Sequence, residues 1–142
     1  MKVQIILAAL LLVACSSASP APKGWAPVAG AQNDWTSGSG DAQQEYSYTK
    51  AAFDGLLQDE ASAVTIDALL HRGAARLHGS VPFAACPGQA GLATFTLRNG
   101  GTLQVGFAVR DGEATRAVYT RPQGQPADPA VAAAMQTVLC AS

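Results

Sequence analysis

The sequence predicts a single α+β domain in which an antiparallel sheet ends in a three-stranded meander and carries helices on both faces. Alternating apolar and polar residues occupy residues 92–119, and the turn sequences at 99–101 and 111–112 are of the Asn-Gly and Asp-Gly type that favours tight hairpins. Segments with apolar residues at helical spacing lie before and after this region. At 142 residues and 49% hydrophobic, the chain suits one core and is too short for two full domains.

The segments before the meander predict two further strands and several docked aromatic rings. Residues 44–50 alternate in polarity, and residues 76–81 do so again before Pro82 ends the strand. A tryptophan in a Gly- and Pro-rich stretch usually buries its ring against the domain. Four aromatic residues are therefore expected in the core or docked on it, with the lining of a binding groove as the alternative: Trp25, Trp35, Tyr46 and Tyr48.

Two helices are predicted from caps and apolar stripes. The first covers residues 59–72, with Asp59 as its N-cap and Gly73 as its stop. Its expected core stripe is Ala63, Ile66, Leu69 and Leu70. The second follows Asp128, with Pro129 in the first turn, and runs toward Cys140. Its expected core stripe is Val131, Ala134, Met135 and Val138.

Both faces of the meander are predicted to be covered. Counting outward from the Asp-Gly turn pairs Arg110 with Glu113 and Val105 with Val118. One face then carries Leu92, Leu103, Val105, Phe107, Val109, Ala114 and Val118. The other carries Ala93, Phe95, Leu97, Gly106, Ala108, Ala117 and Tyr119. Because two apolar faces are unusual for an antiparallel sheet with one solvated side, a layer is expected on each.

The order of these elements is similar to the Mog1/PsbP-type fold, an antiparallel sheet sandwiched between helices that occurs in exported bacterial lipoproteins and photosystem accessory proteins. The resemblance covers residues 25–141 and rests on element order, the two-sided sheet and the closing helix, with no diagnostic motif. Other small α+β folds, such as cystatin-like or inhibitor-type domains, remain alternatives. The resemblance implies a non-catalytic binding or assembly role.

The N-terminus predicts an export signal. Lys2 is followed by an apolar run from Val3 to Ala14 that only Gln4 interrupts. The run is shorter than the roughly 20 apolar residues that span a bilayer, and a Ser- and Pro-rich stretch follows it. Residues 1–14 are therefore predicted to be a signal peptide, residues 15–24 a flexible tether and residues 25–142 the domain.

The end of the signal resembles the bacterial lipobox, because Leu12, Val13 and Ala14 precede Cys15. The resemblance implies cleavage before Cys15 and acylation of that residue, so that the lipid bilayer itself is a partner. The residue after Cys15 is Ser16 and not aspartate. In this it resembles the lipoproteins that are sorted to the outer membrane, and the resemblance implies the periplasmic face of that membrane. The alternative is an ordinary signal cleaved near Ala18 or Ala21.

With Cys15 assigned to lipid, two cysteines remain for an oxidising compartment. A disulfide between Cys86 and Cys140 is therefore expected, and it would close a loop of more than fifty residues. The alternative is that Cys86 is a free nucleophile. No CxxC motif and no metal-ligand spacing accompanies it, so no metal and no cofactor is predicted.

The charged residues offer one candidate binding set and little that suggests catalysis. The net charge of −1, without a run of like charges, argues against a nucleic-acid partner. The candidate set, which could receive an acidic partner, consists of Arg98, Arg110, Arg116 and Arg121. Its alternative is a group of solvated charges at hairpin turns, with Arg110 paired to Glu113. His71 and His78 are expected at the surface, and no GxSxG or SxxK motif occurs.

The sequence thus predicts a lipid-anchored cell-envelope lipoprotein that acts as a non-catalytic binding or assembly module, with an envelope protein as a further candidate partner. An envelope inhibitor of a hydrolase is the first alternative, and it would present a rigid protruding loop, for which residues 81–91 are the candidate. A small periplasmic enzyme is the second, and it would bring His71 or His78 together with a carboxylate in a deep pocket.

Overall fold

A computed structural model describes residues 19–141, so the predicted signal peptide and Cys15 lie outside the described residues. The elements follow the chain as β1 (Ala26–Pro27), β2 (Asp34–Ser37), a short 3₁₀ helix (Gly40–Ala42), β3 (Gln44–Ala52), α1 (Leu57–His71), β4 (Ala74–Pro82), β5 (Ala90–Leu97), β6 (Thr102–Arg110), β7 (Glu113–Arg121) and α2 (Pro129–Leu139).

The strands form one open, antiparallel, seven-stranded sheet in the order β1-β2-β3-β7-β6-β5-β4. The predicted α+β class is confirmed, and β5, β6 and β7 form the predicted meander. The long strand β3 pairs with β7 over residues 45–52, so the N-terminal strands extend the meander on its β7 side. On the other side β4 is an edge strand with two register shifts, and irregularities of this kind discourage pairing with another chain.

The predicted register is confirmed for one half of the meander and wrong for the other. Arg110 faces Glu113 and Val105 faces Val118, as the Asp-Gly turn predicts. In β5, however, Leu92 lies opposite Gly106 and Ala93 lies opposite Val105. The faces predicted for Leu92, Ala93, Phe95 and Leu97 are therefore exchanged. The cause is the connection over residues 97–101, which sets Thr96 against Thr102, because a shift of one residue turns every side chain to the opposite face.

Helix α1 begins two residues earlier than predicted, and Asp59 is not its N-cap. Asp59 lies in the first turn, where its Oδ2 accepts a hydrogen bond from the backbone N–H of Leu56 at 2.8 Å. A carboxylate in this place satisfies a backbone donor at the helix start and interacts favourably with the positive end of the helix dipole. The residue type was thus a correct signal for the start of a helix, but it acts from the third helical position.

The predicted core stripe of α1 is wrong for Ile66 and Leu70, whereas Leu69 is partly buried against the core. Ile66 and Leu70 are 58% and 70% exposed, whereas the buried residues of the helix are Glu60, Val64 and Ala68. These three are spaced by four residues and so share one face of the helix. The helix is turned so that the face carrying Glu60 meets the sheet, where Glu60 forms an ion pair with Arg116.

Helix α2 agrees with its prediction. Asp128 caps it, with Oδ1 accepting a hydrogen bond from the N–H of Ala130 at 2.9 Å, and Pro129 occupies the first turn. The predicted stripe is buried in full: Val131, Ala134, Met135 and Val138. The helix lies close to β6 at Gly106, where an added Cβ would be 2.5 Å from Cδ1 of Leu139. Glycine at that position therefore permits the close approach of helix and sheet.

The buried side chains form two clusters, which are named after the helices that contribute to them. The α1 cluster consists of Val64, Ala68, Ala74, Ala93, Phe95, Leu97, Leu103, Val105 and Phe107. The α2 cluster consists of Trp25, Tyr46, Phe83, Cys86, Ala90, Ala108, Ala117, Tyr119, Val131, Ala134, Met135, Val138 and Leu139. Pro22, inside the segment predicted to be a tether, is also fully buried, so packing begins before Trp25.

Candidate functional site

The predicted disulfide is present. The sulfur atoms of Cys86 and Cys140 are 2.08 Å apart and the two Cα atoms 5.7 Å apart, which lies within the normal range for a disulfide. The bond joins the loop before β5 to the residue after α2, at a sequence separation of 54. It therefore fixes the C-terminal end of α2 to the sheet.

The loop around Cys86, residues 83–90, is closed on itself by backbone hydrogen bonds. The N–H of Phe83 donates to the carbonyl oxygen of Ala90 at 2.9 Å, and the N–H of Cys86 donates to that of Phe83 at 3.1 Å. Phe83 and Cys86 are buried, and Oε1 of Gln89 accepts from the N–H of Ala141 at 3.0 Å. The loop is thus held at its base and its centre. It exposes Ala84, Ala85, Pro87 and Gly88.

The four candidate arginines do not form one cluster. Arg98 and Arg121 lie at the end of the meander that holds the β5–β6 connection, whereas Arg110 lies at the opposite end. Nη1 of Arg110 donates to the carbonyl oxygen of Leu139 at 2.6 Å, a favourable place for a cation because it is the negative end of α2. The guanidinium of Arg121 lies 5.8 Å from the ring centre of Tyr119. Binding of an acidic partner by this set stays a prediction.

Arg116, the fourth member, forms a bidentate ion pair with Glu60. Its Nε and Nη2 donate to the two carboxylate oxygens at 2.9 and 2.7 Å. The Glu60 side chain is fully buried and that of Arg116 is 25% exposed. The hydrogen bonds to Glu60 raise the pKa of the Arg116 guanidinium above its ordinary value, against the effect of burial. The charge of Arg116 is therefore used to hold α1 on strand β7.

Asp67, two turns further along α1 than Glu60, extends the ion pair into a network that reaches the surface. Its Oδ2 accepts from Nε of Arg72 at 2.8 Å and lies 3.7 Å from Nη1 of Arg116. Its Oδ1 lies 3.2 Å from Nδ1 of His71. Burial raises the pKa of the Asp67 carboxyl, but the hydrogen bonds and charges of Arg72, His71 and Arg116 together outweigh it and lower that pKa below the ordinary value.

The lowered pKa of Asp67 predicts an acid-sensitive contribution to stability. A carboxyl whose pKa is lower in the folded than in the unfolded chain stabilises the fold when the pH is above the pKa of the unfolded chain, which is about 4. This contribution is lost as the pH falls through the pKa of the folded chain. We expect Asp67→Asn to be less stable than wild type at pH 7 and the difference to shrink below about pH 4. Urea unfolding across this range measures it, with Asp54→Asn, at an exposed position before α1, as a matched control. A difference independent of pH would contradict the assignment.

The two histidines lie at the surface, as predicted. His71 is 71% exposed and forms its contact with Asp67 from the next turn of the same helix. His78, on β4, contacts the hydroxyl of Thr96 on the neighbouring strand. The spacing of four residues between Asp67 and His71 is visible in the sequence, and on a helix it indicates a contact between the two side chains. The pair sits on an exposed helix end rather than in a pocket.

The aromatic residues contribute mainly to packing. The Trp25 ring packs edge-on against Tyr119, with ring centres 6.0 Å apart, and its Nε1 donates to Oδ2 of Asp128 at 2.9 Å. Trp35 stacks on Tyr46 and on Tyr48. Trp25 and Tyr46 are core residues, whereas Trp35 and Tyr48 are partly buried at the border of the α2 cluster. Burial raises the pKa of the Tyr46 hydroxyl.

Within residues 19–141, no three His, Cys, Asp or Glu side chains come together in a group that could hold a metal ion. In the same part of the chain, neither helix is long and apolar enough to cross a membrane. No protein-family model, curated protein or solved structure matches this chain.

Proposed function

We propose that this protein is a cell-envelope lipoprotein, anchored to the membrane through acylated Cys15, and that its domain is a non-catalytic binding or assembly module. The disulfide between Cys86 and Cys140 carries the first part of this proposal, because disulfides form and persist in exported compartments and are rare in the cytosol. The disulfide agrees with the predicted export signal, residues 1–14, and with the lipobox-like sequence that ends at Cys15. Ser16 after the acylated cysteine favours the periplasmic face of the outer membrane.

The proposal includes a sandwich architecture in which α1 and α2 cover opposite faces of the sheet, as in the Mog1/PsbP-type fold. Its support is the alternation along β6, since neighbouring residues of a strand point to opposite faces. Leu103, Val105 and Phe107 belong to the cluster of α1. Between them, Gly106 approaches Leu139 of α2, and Ala108 belongs to the cluster of α2.

The use of the charged side chains favours a binding role over catalysis. Glu60 and Arg116 are fully engaged with each other, and Asp67 is shared among three cationic or histidine partners on the same network. Such pairing holds a helix on a sheet. General acid–base catalysis needs a carboxyl group that can exchange a proton with a substrate, and these carboxylates are instead bound to cationic side chains.

The closed disulfide loop gives the inhibitor alternative its own support. Residues 83–90 combine a rigid base with a small, exposed tip, and rigid loops of this kind lose little entropy when they enter a cleft. An inhibitor of an envelope hydrolase would use this loop. Ala85, exposed at the tip, is the position at which a large charged side chain would obstruct that use.

Crosslinking in intact envelopes, with lipidated wild type and Ala85→Arg as parallel baits, tests the binding proposal and separates it from inhibition. We expect one protein partner, identified by mass spectrometry after stringent washing, to be captured reproducibly by both baits. A captured hydrolase that is inhibited by wild type and released by Ala85→Arg would favour the inhibitor. Repeated absence of any partner would contradict a binding or assembly role.

A further inference from the structure

The outer side of α2 and the loop beside its C-terminal end carry no charged residue, whereas the neighbouring part of the sheet carries Lys50, Arg110 and Glu113. From Pro129 to Ala141, which covers α2, the sequence has no charged residue. The exposed residues of this helix are Pro129, Ala132, Ala133, Gln136 and Thr137. The disulfide loop at the C-terminal end of α2, residues 83–90, is likewise uncharged.

The N-terminal segment Ser19–Trp25, here called the lead-in, lies along the same helix. Together they line a groove in which Ser19, Pro22 and Trp25 face Ala133 and Thr137. The lead-in is fixed there by the burial of Pro22 and by the hydrogen bond from Trp25 to Asp128.

Asp128 is charged, but both of its carboxylate oxygens accept hydrogen bonds within the domain. Lys23 on the lead-in is exposed, and the partly exposed Arg110 lies at the C-terminal end of α2.

The position of the lead-in determines which side of the domain lies near the anchor. Cys15 is four residues before Ser19, and four residues of extended chain reach at most about 14 Å. The lipid-bearing residue is therefore within that distance of the α2 side, wherever the intervening residues run. None of the residues that line the groove beside the lead-in belongs to α1, which carries the exposed apolar residues Ile66 and Leu70.

We propose that the outer side of α2, the lead-in and the disulfide loop together form a membrane-facing surface, which rests on the lipid headgroups. This inference depends on the proposed acylation of Cys15. A surface without charges meets the headgroup layer without the cost of stripping water from ions. The apolar residues of α2 are already buried against the sheet, so the helix lies on the headgroups and does not insert. Lys23 then faces anionic headgroups, which attract it.

The surface fits a lipid layer better than a second protein chain. The centres of protein interfaces are rich in aromatic residues, methionine and arginine. The side chains exposed here on α2 are a proline, two alanines, a glutamine and a threonine, and Met135 of the same helix is buried. A tightly packed protein interface would find no anchor residue among them.

Fluorescence quenching on vesicles tests this orientation. The lipidated full chain, with its disulfide intact, is reconstituted into vesicles of phosphatidylethanolamine and phosphatidylglycerol that contain a lipid with a nitroxide on its headgroup. A fluorophore is attached at Gln136→Cys on α2 or, as the matched control, at Ser62→Cys on the exposed side of α1. We expect quenching several-fold stronger at 136 than at 62, because nitroxide quenching is short-ranged.

A charge-reversal pair adds a second readout. Lys23→Glu should reduce quenching at position 136, whereas Arg98→Glu, at an exposed arginine beside the C-terminal end of α1, should leave it unchanged. Equal quenching at 136 and 62, or stronger quenching at 62, would overturn the proposed orientation while the anchor stands. A third outcome is energy transfer between labels at position 136 that rises with protein density while the nitroxide does not quench them. This would show that the surface contacts a second copy of the chain, and it would also overturn the proposed orientation. An intact mass without acyl chains would overturn the anchor and the orientation together.

Discussion

Removal of the Cys86–Cys140 disulfide is expected to lower the free energy of unfolding by about 4 kcal/mol, because the loop-closure entropy of a bond over 54 residues is returned to the unfolded chain. This is a large fraction of the stability of a small domain, which is about 5–15 kcal/mol. The bond also ties the end of α2 to the loop before β5, so its loss should loosen the α2 cluster first.

Urea unfolding of Cys86→Ala/Cys140→Ala measures this effect, in a background where Cys15 is replaced by serine. The unreduced and reduced forms of the parent protein provide a comparison without mutation. Thiol titration of the unreduced, denatured parent should find no free thiol from these two residues. A loss below about 1 kcal/mol would contradict the assigned role, since the entropy of closing so long a loop is several times larger.

Substitution of Arg116 by methionine is expected to cost about 3 kcal/mol, the lower end of the range for breaking a buried ion pair. Its partner Glu60 is fully buried and would keep a carboxylate in the protein interior without a cation. Arg116 is itself partly exposed, which allows water to screen part of the loss. The same unfolding assay applies, with Arg98→Met, an exposed arginine at a turn, as the matched control that should change stability little.

A double-mutant cycle separates the ion pair from general packing. Glu60→Leu/Arg116→Met replaces both charged groups by apolar ones, and we expect it to be more stable than Arg116→Met alone, because no unpaired charge remains. If the double variant were as unstable as the sum of the two single variants, the two residues would not be coupled. The interaction between Glu60 and Arg116 would then contribute nothing to the free energy of unfolding.

The elements that the sequence predicted correctly depend on local signals. The Asp-Gly turn at 111–112 sets the register between β6 and β7, and the Asp-Pro sequence at 128–129 sets the start of α2. Each of these acts through a few neighbouring residues. The disulfide was predictable as well, once Cys15 was assigned to lipid, because two cysteines allow a single pairing.

The elements that were predicted wrongly depend on contacts between distant parts of the chain. Ile66 and Leu70 have the spacing of a buried helical stripe, yet both are exposed on α1. The helix instead turns Glu60 toward the sheet, because Glu60 pairs with Arg116, 56 residues away in the sequence. A hint was present, since Arg116 interrupts an apolar face and such a charge needs a partner. In β5, the faces could not be predicted because they depend on the length of the connection at 97–101.

The central claim, that the domain is attached to a membrane through a lipid on Cys15, is tested most directly by intact-mass spectrometry. The protein is made with its full N-terminus in a Gram-negative host and extracted from the envelope, beside a Cys15→Ala variant. We expect a chain that begins at residue 15 and carries acyl chains, and a variant that carries none. An unmodified chain that begins after Ala18 or Ala21, or a Cys15→Ala protein that still behaves as membrane-anchored after signal cleavage, would contradict the claim.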